Sequence, residues 1–246
     1  MVPLLKAKGK QHGALGKVFF DKAESEFNEA IRTIRTGISL DNLEQPHKVI
    51  LIASSIGGEG KSTVALNLAH AFAQLENVLL LDADMRRPSI ARALNLPKDM
   101  PGLSELLAEK SELAECVVRG GEGKVDVMSH GFIPPDPLQL LSSQRLANAL
   151  LALRGRYDRI IIDSPPLLPV SDGLVLSKQA DAVVFVAKSD ATSTRHIKQG
   201  LELLAGINAR VIGVVVNQLD TRKAAKYSDY GYGGYYESYE PQSGAG

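Results

Sequence analysis

The stretch from Val49 to Thr63 constrains the fold more than any other part of the chain; it reads VILIASSIGGEGKST. Apolar residues that favour a β-strand run directly into a turn of small residues and glycines, and a helical pattern of apolar residues begins at Val64. Backbone N–H groups at a helix N-terminus form a concave anion site, and glycines let the backbone approach an oxyanion closely. A glycine-rich turn that merely caps a helix is the alternative, but the flanking strand and helix favour a phosphate-binding loop.

The end of this loop carries the groups that bind a nucleoside triphosphate. Lys61 supplies a positive charge for the β- and γ-phosphates, and Ser62 supplies a hydroxyl for Mg²⁺. The usual pattern G-x-x-x-x-G-K-[ST] has a glycine where this chain has Ser55. We expect the nucleotide to be bound by Gly58, Glu59, Gly60, Lys61, Ser62 and Thr63.

Two further apolar segments end in aspartates. A predicted strand from Asn77 to Leu81 continues as DADMRRP from Asp82, and three isoleucines precede Asp163. In parallel α/β sheets, ligands bind beyond the carboxyl ends of the strands, so these carboxylates should lie beside the nucleotide. An aspartate after an apolar strand is typical of the Walker B arrangement for Mg²⁺. We expect the Mg²⁺ ligands, direct or through water, to be Ser62, Asp84 and Asp163.

Strands and helices alternate along the chain, which predicts an α/β fold whose mostly parallel sheet is covered by helices on both faces. One predicted helix runs from Leu138 to Leu153, and the last predicted strand runs from Arg210 to Val216. The residues that follow are Asn217-Gln218-Leu219-Asp220, similar to the guanine-reading motif N-K-x-D except for the glutamine. We interpret Asn217 as a contact to the nucleotide base and infer no preference for guanine.

Composition limits the classes of function. Lys plus Arg equal Asp plus Glu at 28 each, so no global attraction to nucleic acid is expected. The single cysteine, Cys116, excludes a disulfide framework or a four-cysteine metal site within one chain. No apolar run approaches the roughly 18 residues of a membrane-spanning helix. The start of the chain has no signal-peptide pattern.

The two ends of the chain differ from its middle. Residues 1–20 contain four lysines and no acid, which predicts a basic, flexible arm that is either a solvated linker or a juxtamembrane segment on anionic lipid. Residues 221–246 lack large aliphatic side chains, so the tail should be mobile. It is either a sticky low-complexity segment or a carrier of phosphate acceptors, and it holds six of the seven tyrosines: Tyr227, Tyr230, Tyr232, Tyr235, Tyr236 and Tyr239.

An amphipathic helix is predicted from Ser25 to Leu40. Glu29, Arg32 and Arg35 follow one another at intervals of three and project from one flank of this helix. They form either a solvated flank with a weak Glu–Arg pair or a strip of ion pairs between subunits, and spacing alone does not choose between the two.

Taken together, these residues resemble the bacterial tyrosine kinases, the cytosolic kinase domains of capsule and exopolysaccharide assembly systems. The resemblance rests on the loop ASSIGGEGKST, on DADMR from Asp82, on the strand that ends at Asp163, on EAIRTIR from Glu29 and on the terminal tyrosines. In this family the missing first glycine at Ser55 is normal. The implied domains are a basic arm over 1–20, a kinase domain of deviant P-loop NTPase fold over 21–220 and a flexible tail over 221–246.

The resemblance implies ATP- and Mg²⁺-dependent autophosphorylation in trans on the tail tyrosines, within a ring-like homo-oligomer joined through Glu29, Arg32 and Arg35. It also implies a transmembrane activator, fused or separate, an opposing phosphotyrosine phosphatase, and a place at the inner face of the plasma membrane. Lys61, Asp82, Asp84 and Asp163 are the expected catalytic residues. We expect Asp82 to activate the tyrosine hydroxyl, although Asp82 and Asp84 could exchange roles.

Two other functions fit parts of the pattern. Septum-positioning and partition ATPases share the fold but carry a second lysine five residues before the motif lysine, where this chain has Ile56. A non-catalytic assembly module would use ATP only to hold the ring together and would use the tail to bind partners. Ile56 and the tyrosine tail argue against the partition-type ATPase, and detection of phosphotyrosine after incubation with Mg-ATP distinguishes all three functions.

Overall fold

A six-stranded sheet forms the centre of the computed structural model, which describes residues 1–4, 25–41, 43–97, 99–121 and 124–220. All six named strands pair in parallel, in the order β3-β2-β4-β1-β5-β6, which confirms the predicted α/β class. The strands are β1 Val49–Ser54, β2 Val78–Asp82, β3 Asp126–Met128, β4 Arg159–Asp163, β5 Ala182–Lys188 and β6 Val211–Asn217. The helices are α1 Ser25–Asp41, α2 Lys61–Ala73, α3 Ile90–Ala93, α4 Leu103–Leu107, α5 Pro137–Leu141, α6 Gln144–Arg154, α7 Asp172–Gln179 and α8 Thr194–Gly206.

Helices cover both faces of the sheet. Alternate residues of each central strand point to opposite faces, so the strands contribute to two apolar cores. One core packs the sheet against α1 and α2 through residues such as Phe27 and Phe72, and the other packs it against α6, α7 and α8. β1, β2 and β4 are buried along their whole length for this reason. Cys116 lies fully buried in the second core, and burial raises the pKa of its thiol to about 11.

The register of the strands brings the site residues to one edge of the sheet. Asp163, the last residue of β4, pairs with Ile52 of β1 on one side and with Asp82 of β2 on the other. Asn217 ends β6 on the far side of β1, opposite Lys188 of β5. The carboxyl ends of β2, β4, β1 and β6 therefore supply the residues that the sequence singles out.

The first four residues belong to the fold, so the prediction of a flexible arm is wrong for this part of residues 1–20. Val2 is fully buried; its N–H donates to the carbonyl oxygen of Val216 at 2.8 Å, and its carbonyl accepts the N–H of Leu219 at 3.0 Å. The apolar side chain packs in the core beside α1, and the backbone completes the hydrogen bonds of an edge strand. Residues 5–20 lie outside the described residues.

The structure also revises several element limits. The predicted helix from Leu138 to Leu153 is two helices, α5 and α6, separated at Ser142 and Ser143. The sequence does not predict helix α7, because its short segment DGLVLSKQ shows little apolar periodicity. Among the described residues, no helix is long and apolar enough to cross a membrane.

Candidate active site

The phosphate loop connects β1 to α2 at the centre of the sheet edge, as the sequence predicts. Gly58 and Gly60 have positive φ angles of 83° and 88°, a backbone conformation that side chains disfavour. A Cβ atom on Gly60 would overlap the side-chain amide of Asn217. Glycine at this position is therefore required twice, by the turn itself and by the residue that packs against it.

Glu59 holds the loop in shape from inside. Its side chain is only 1% exposed, and one carboxylate oxygen accepts the N–H of Ile56 at 2.8 Å. The other oxygen accepts the hydroxyl of Thr192 at 2.6 Å, and the carbonyl of Glu59 accepts the Asn217 amide at 2.9 Å. We predicted Glu59 as part of the phosphate cradle, and its buried side chain adds a structural role that local sequence does not reveal.

Ser55, which stands in place of the first glycine of the usual motif, makes a specific contact. Its hydroxyl donates to the carbonyl oxygen of His196 in α8 at 2.9 Å. Gly200, one turn further along α8, lies close enough that a Cβ there would meet the Ser55 hydroxyl at 3.2 Å. The serine thus ties the start of the loop to α8.

Lys61 is buried at the first position of α2. Its ammonium donates to the hydroxyl of Ser54, the last residue of β1, at 2.9 Å. Burial lowers the pKa of Lys61, and the nearby carboxylates of Asp163, Asp84 and Glu59 oppose that shift. The positive charge is therefore held among carboxylates beside the loop, where the predicted phosphates need it.

Asp163 has the environment of a cation ligand. Its carboxylate is buried, and neither oxygen has a hydrogen-bond partner of normal geometry among the described residues. Burial raises its pKa to about 7, an effect that the nearby Ser62 hydroxyl and Lys61 ammonium partly offset. Buried carboxylate oxygens without partners are rare, and together with a hydroxyl they form the oxygen-only set that Mg²⁺ prefers.

The side chains near Asp163 could bind Mg²⁺ only if water or phosphate oxygens completed its coordination shell. No three His, Cys, Asp or Glu side chains within the described ranges are close enough to hold a metal ion by themselves. Mg²⁺ commonly takes one or two carboxylates and completes its shell with water and substrate phosphates. Ser62, Asp84 and Asp163 match that pattern.

Asp82 and Asp84 have different surroundings although both follow the same strand. Asp82 is fully buried, and its two oxygens accept the N–H groups of Ile90 at 3.2 Å and Asp84 at 3.3 Å. Burial and the neighbouring Asp163 raise the pKa of Asp82 well above its usual range. Asp84 lines the adjacent cavity and uses one oxygen to accept the N–H groups of Arg86 and Arg87. Asp84 is thus the carboxylate of the pair that faces open space.

Arg86 and Asp172 form a bidentate ion pair across the site, with N–O distances of 2.6 and 3.0 Å. Asp172 is 1% exposed and Arg86 39% exposed. The sequence does not indicate a role for Asp172, because this residue begins the short helix α7 and lies 86 positions from its partner. The pair connects the segment after β2 to the segment after β4.

A cavity of about 1010 Å³ opens beside the loop. Its walls come from the phosphate loop, from the segment between β2 and the end of α3, and from the loop after β4. Six of the residues that the sequence predicts for the site line this cavity: Gly58, Gly60, Lys61, Ser62, Thr63 and Asp84. Asn217 lies outside this lining, on the other side of β1, where its amide contacts Glu59.

The predicted subunit strip stands apart from this site. Glu29 and Arg32 are exposed on α1 and pair with each other at 3.2 Å. Arg35 donates to the carbonyl of Ala71 in α2 at 3.1 Å. The six tail tyrosines lie outside the described residues.

Comparison with known proteins identifies the family. Residues 45–228 match a family described as ParA: NUBPL iron-transfer P-loop NTPase, which indicates that the chain binds a nucleotide. The chain is 38% identical over 208 residues to the tyrosine-protein kinase YwqD of Bacillus subtilis (strain 168), over 84% of the chain and 86% of YwqD. The chain belongs to the bacterial tyrosine kinases. The resemblance seen in the sequence motifs is thereby confirmed.

Other similar proteins support the same family. The kinase is 33% identical over 216 residues to the tyrosine-protein kinase wzc of Salmonella typhimurium, a match that covers 87% of the chain but 29% of wzc. The solved kinase domain of the Escherichia coli tyrosine kinase ETK is 28% identical, with a TM-score of 0.81 over 94% of the chain and 93% of that domain. The fold is therefore that of a bacterial tyrosine kinase domain, and the deviant P-loop prediction is confirmed.

Proposed function

We propose that the kinase transfers the γ-phosphoryl group of ATP to tyrosines in the tails of other copies of the chain. The observation that carries this proposal is the buried carboxylate of Asp163, which has no hydrogen-bond partner of normal geometry among the described residues and lies beside Lys61 and Ser62, two residues that line a large cavity. A buried, ionised carboxylate without a partner destabilises the folded protein unless a cation binds to it. The cavity leaves room for an acceptor hydroxyl on the far side of the phosphate.

The residues of the loop would bind and orient the nucleotide. The amides from Gly58 to Thr63 and the Lys61 ammonium would hold the phosphate oxygens in line for transfer. Ser62 and Asp163 would hold Mg²⁺ directly and Asp84 only through water, and the charge of the ion would offset that of the phosphate oxygens. The bond between the γ-phosphorus and the ADP oxygen breaks and a bond to the tyrosine oxygen forms. The hydroxyl proton passes to a carboxylate.

The surroundings of the two aspartates favour Asp84 as the carboxylate that meets the tyrosine hydroxyl. We predicted this role for Asp82, but Asp82 is fully buried and both of its oxygens accept backbone N–H groups. Asp84 lines the cavity and has one oxygen without a hydrogen-bond partner among the described residues. Asp84→Asn should abolish tyrosine phosphorylation, whereas Asp82→Asn should retain measurable activity; the reverse result would restore Asp82 as the base.

The wider setting follows from the family. The kinase would act as a ring-like homo-oligomer, joined through Glu29, Arg32 and Arg35, with a transmembrane activator and an opposing phosphotyrosine phosphatase. It would work at the inner face of the plasma membrane and regulate capsule or exopolysaccharide polymerisation and export. Each phosphotyrosine adds about −1.5 to −2 charges, so several of them close together on one tail should repel one another and the carboxylates of the Mg²⁺ site, and should loosen the ring.

Incubation with Mg-ATP, followed by mass spectrometry of the protein, tests the transfer. The wild type should gain phosphotyrosine only in residues 221–246, and Lys61→Met should gain none. A variant with all six tail tyrosines changed to Phe should also gain none, whereas Tyr157→Phe, which removes the buried seventh tyrosine, should gain as much as the wild type. Release of ADP with no protein-bound phosphate would overturn the proposal and favour the ATPase-switch or assembly alternatives.

Sizing chromatography tests the oligomer separately. The six-Phe variant should elute as an oligomer and the phosphorylated wild type as a monomer. Arg32→Ala/Arg35→Ala should reduce the oligomer of the six-Phe variant. Lys198→Ala is the matched control, because it removes another exposed ion pair within a helix, that with Glu202; it should leave the amount of oligomer unchanged. Equal sizes for all four would contradict the coupling.

A further inference from the structure

We propose that Arg87 and Arg92 form an acceptor subsite that binds the anionic groups next to the tyrosine being phosphorylated. This inference rests on the proposed function and names the feature of the tail that the site selects. Both arginines line the cavity beside the phosphate loop, on the segment from the end of β2 through α3. We call Arg87, Ser89 and Arg92 the arginine wall.

The arginine wall carries positive charge that has no ion-pair partner in the part of the chain that the structure describes. Of the four cations that line the cavity, Lys61 lies among carboxylates and Arg86 is held by Asp172. The guanidinium of Arg87 has no hydrogen-bond or ion-pair partner among the described residues, and that of Arg92 makes only a 3.4 Å contact to the carbonyl of Pro88. Two guanidinium groups are therefore free for a ligand.

A third group in the wall lacks a partner. The hydroxyl of Ser89 is buried and has no hydrogen-bond partner within the described residues. It lies between the two arginines in sequence and lines the same cavity. A hydroxyl and two guanidinium groups are donors suited to carboxylate or phosphate oxygens. The arginine wall thus provides hydrogen-bond donors in addition to those of the phosphate loop.

The wall lies on the acceptor side of the phosphate loop. β2 and β4 flank β1 on one side, and β5 and β6 on the other. The arginine wall follows β2, whereas Asn217, the predicted base contact, ends β6. A nucleotide whose base lies toward β6 would direct its γ-phosphate toward the wall. An incoming tyrosine would then enter past Arg87 and Arg92.

The tyrosine-bearing part of the tail, residues 227–240, contains acidic residues and no basic ones, so its charge is complementary to the arginine wall. Its three acidic residues in 221–246 are each adjacent to a tyrosine, in the pairs Asp229–Tyr230, Tyr236–Glu237 and Tyr239–Glu240. Arginine binds carboxylate in a bidentate manner, which fixes both position and orientation. A phosphate already placed on a neighbouring tyrosine offers the same oxygen chemistry. Tyr230, Tyr236 and Tyr239 should therefore be modified before Tyr232, whose neighbours are glycines.

The test uses the six-Phe variant as the enzyme, so that all phosphate goes to an added peptide of residues 221–246. In this background, Arg87→Gln/Arg92→Gln should raise KM for the peptide at least about tenfold. It should change kcat and the dissociation constant for a fluorescent ADP analogue less than about twofold, because the loop and Lys61 are intact. Lys124→Gln/Arg156→Gln removes two exposed charges from the opposite edge of the sheet and should leave KM unchanged.

Two further peptides identify the recognised group. A peptide with Asp229→Asn, Glu237→Gln and Glu240→Gln should have a raised KM that the arginine substitutions no longer change. The same neutral peptide synthesised with phosphate on Tyr236 should regain a low KM only with the intact wall if phosphate is also bound; if only carboxylates are bound, its KM should stay high. In either case the dependence on Arg87 and Arg92 supports the subsite.

Two results would overturn the subsite. Equal KM values for the arginine and control variants would show that the wall does not contact the acceptor. A parallel loss of ADP affinity would assign the arginines to the nucleotide instead. With either result, the proposed kinase function stands if the six-Phe enzyme with intact Arg87 and Arg92 phosphorylates the peptide. A parent enzyme that forms no phosphotyrosine with any peptide overturns both proposals.

Discussion

The side-chain amide of Asn217 donates a hydrogen bond to the carbonyl oxygen of Glu59, with an N–O distance of 2.9 Å. The two residues are 158 positions apart, so the bond joins the last strand to the phosphate loop. The same amide packs against Gly60, where a side chain could not fit. The conformation of the loop is therefore fixed partly from β6.

Asn217→Ala should weaken nucleotide binding by disordering this side of the loop. Loss of one buried hydrogen bond costs about 1–3 kcal/mol, and we expect the dissociation constant for a fluorescent ADP analogue to rise about tenfold. Asn148→Ala changes an exposed asparagine on α6 and is the matched control. An unchanged dissociation constant would mean that the loop keeps its shape without Asn217.

The ion pair of Arg86 with Asp172 should respond unequally to loss of each partner. Arg86→Ala leaves the buried Asp172 carboxylate without its cation and should reduce the free energy of unfolding by about 2–3 kcal/mol. Asp172→Asn leaves an arginine that is 39% exposed and can be hydrated. We therefore expect the free energy of unfolding to fall by only about 1 kcal/mol. Urea unfolding of both single variants and the double variant measures the difference. Equal losses would mean that Asp172 is more accessible to water than the structure indicates.

The pKa of Asp163 makes the stability of the nucleotide-free protein depend on pH. Because burial raises this pKa to about 7, ionisation of Asp163 destabilises the folded state. This loss of stability is absent below about pH 3.8, the pKa of the carboxyl in the unfolded chain. It grows as the pH rises and is complete above about pH 7. Asp163→Asn removes it and should raise the melting temperature at pH 8 by about 5 °C.

The same substitution should have a smaller effect at pH 5, where less of the cost has developed. Thermal melts in EDTA at the two pH values make the comparison. An equal shift at both would show that the carboxylate does not titrate in this range.

Burial of Val2 predicts that the start of the chain stabilises the end of β6. Val2→Asp would place a charge in the apolar core and should break the hydrogen bonds to Val216 and Leu219. Hydrogen exchange of residues 211–220 should then speed up at least about tenfold. Leu4→Asp introduces the same charge at a side chain that is 46% exposed and should change exchange far less. Similar rates in both variants would argue against a role for Val2.

The sequence predicts most of the frame on which the site is built. The phosphate loop and the strands that end at Asp82 and Asp163 show their local patterns directly, because buried parallel strands are continuous apolar runs. Their position at one sheet edge follows from the parallel topology. The helix α1 is also visible, because its apolar stripe repeats every three to four residues.

What the sequence does not reveal depends on contacts between distant segments. The bond of Thr192 to the Glu59 side chain spans 133 positions, and nothing near Glu59 indicates it. Residue spacing alone cannot distinguish the fully buried Asp82 from Asp84, since both follow the same strand. Val2 lies in a lysine-rich stretch, and its apolar character stands out only once β6 offers it a partner.

The burial of Cys116 has a practical consequence. It is the only cysteine of the chain, its side chain is fully enclosed, and its thiol pKa is about 11. Thiol reagents attack the thiolate, so the native protein should react slowly with maleimides near pH 7. A cysteine introduced into the tail could then be labelled selectively without first removing the natural one. Fluorescent or spin-labelled tails of the wild-type framework would report directly on when a tail enters a neighbouring subunit.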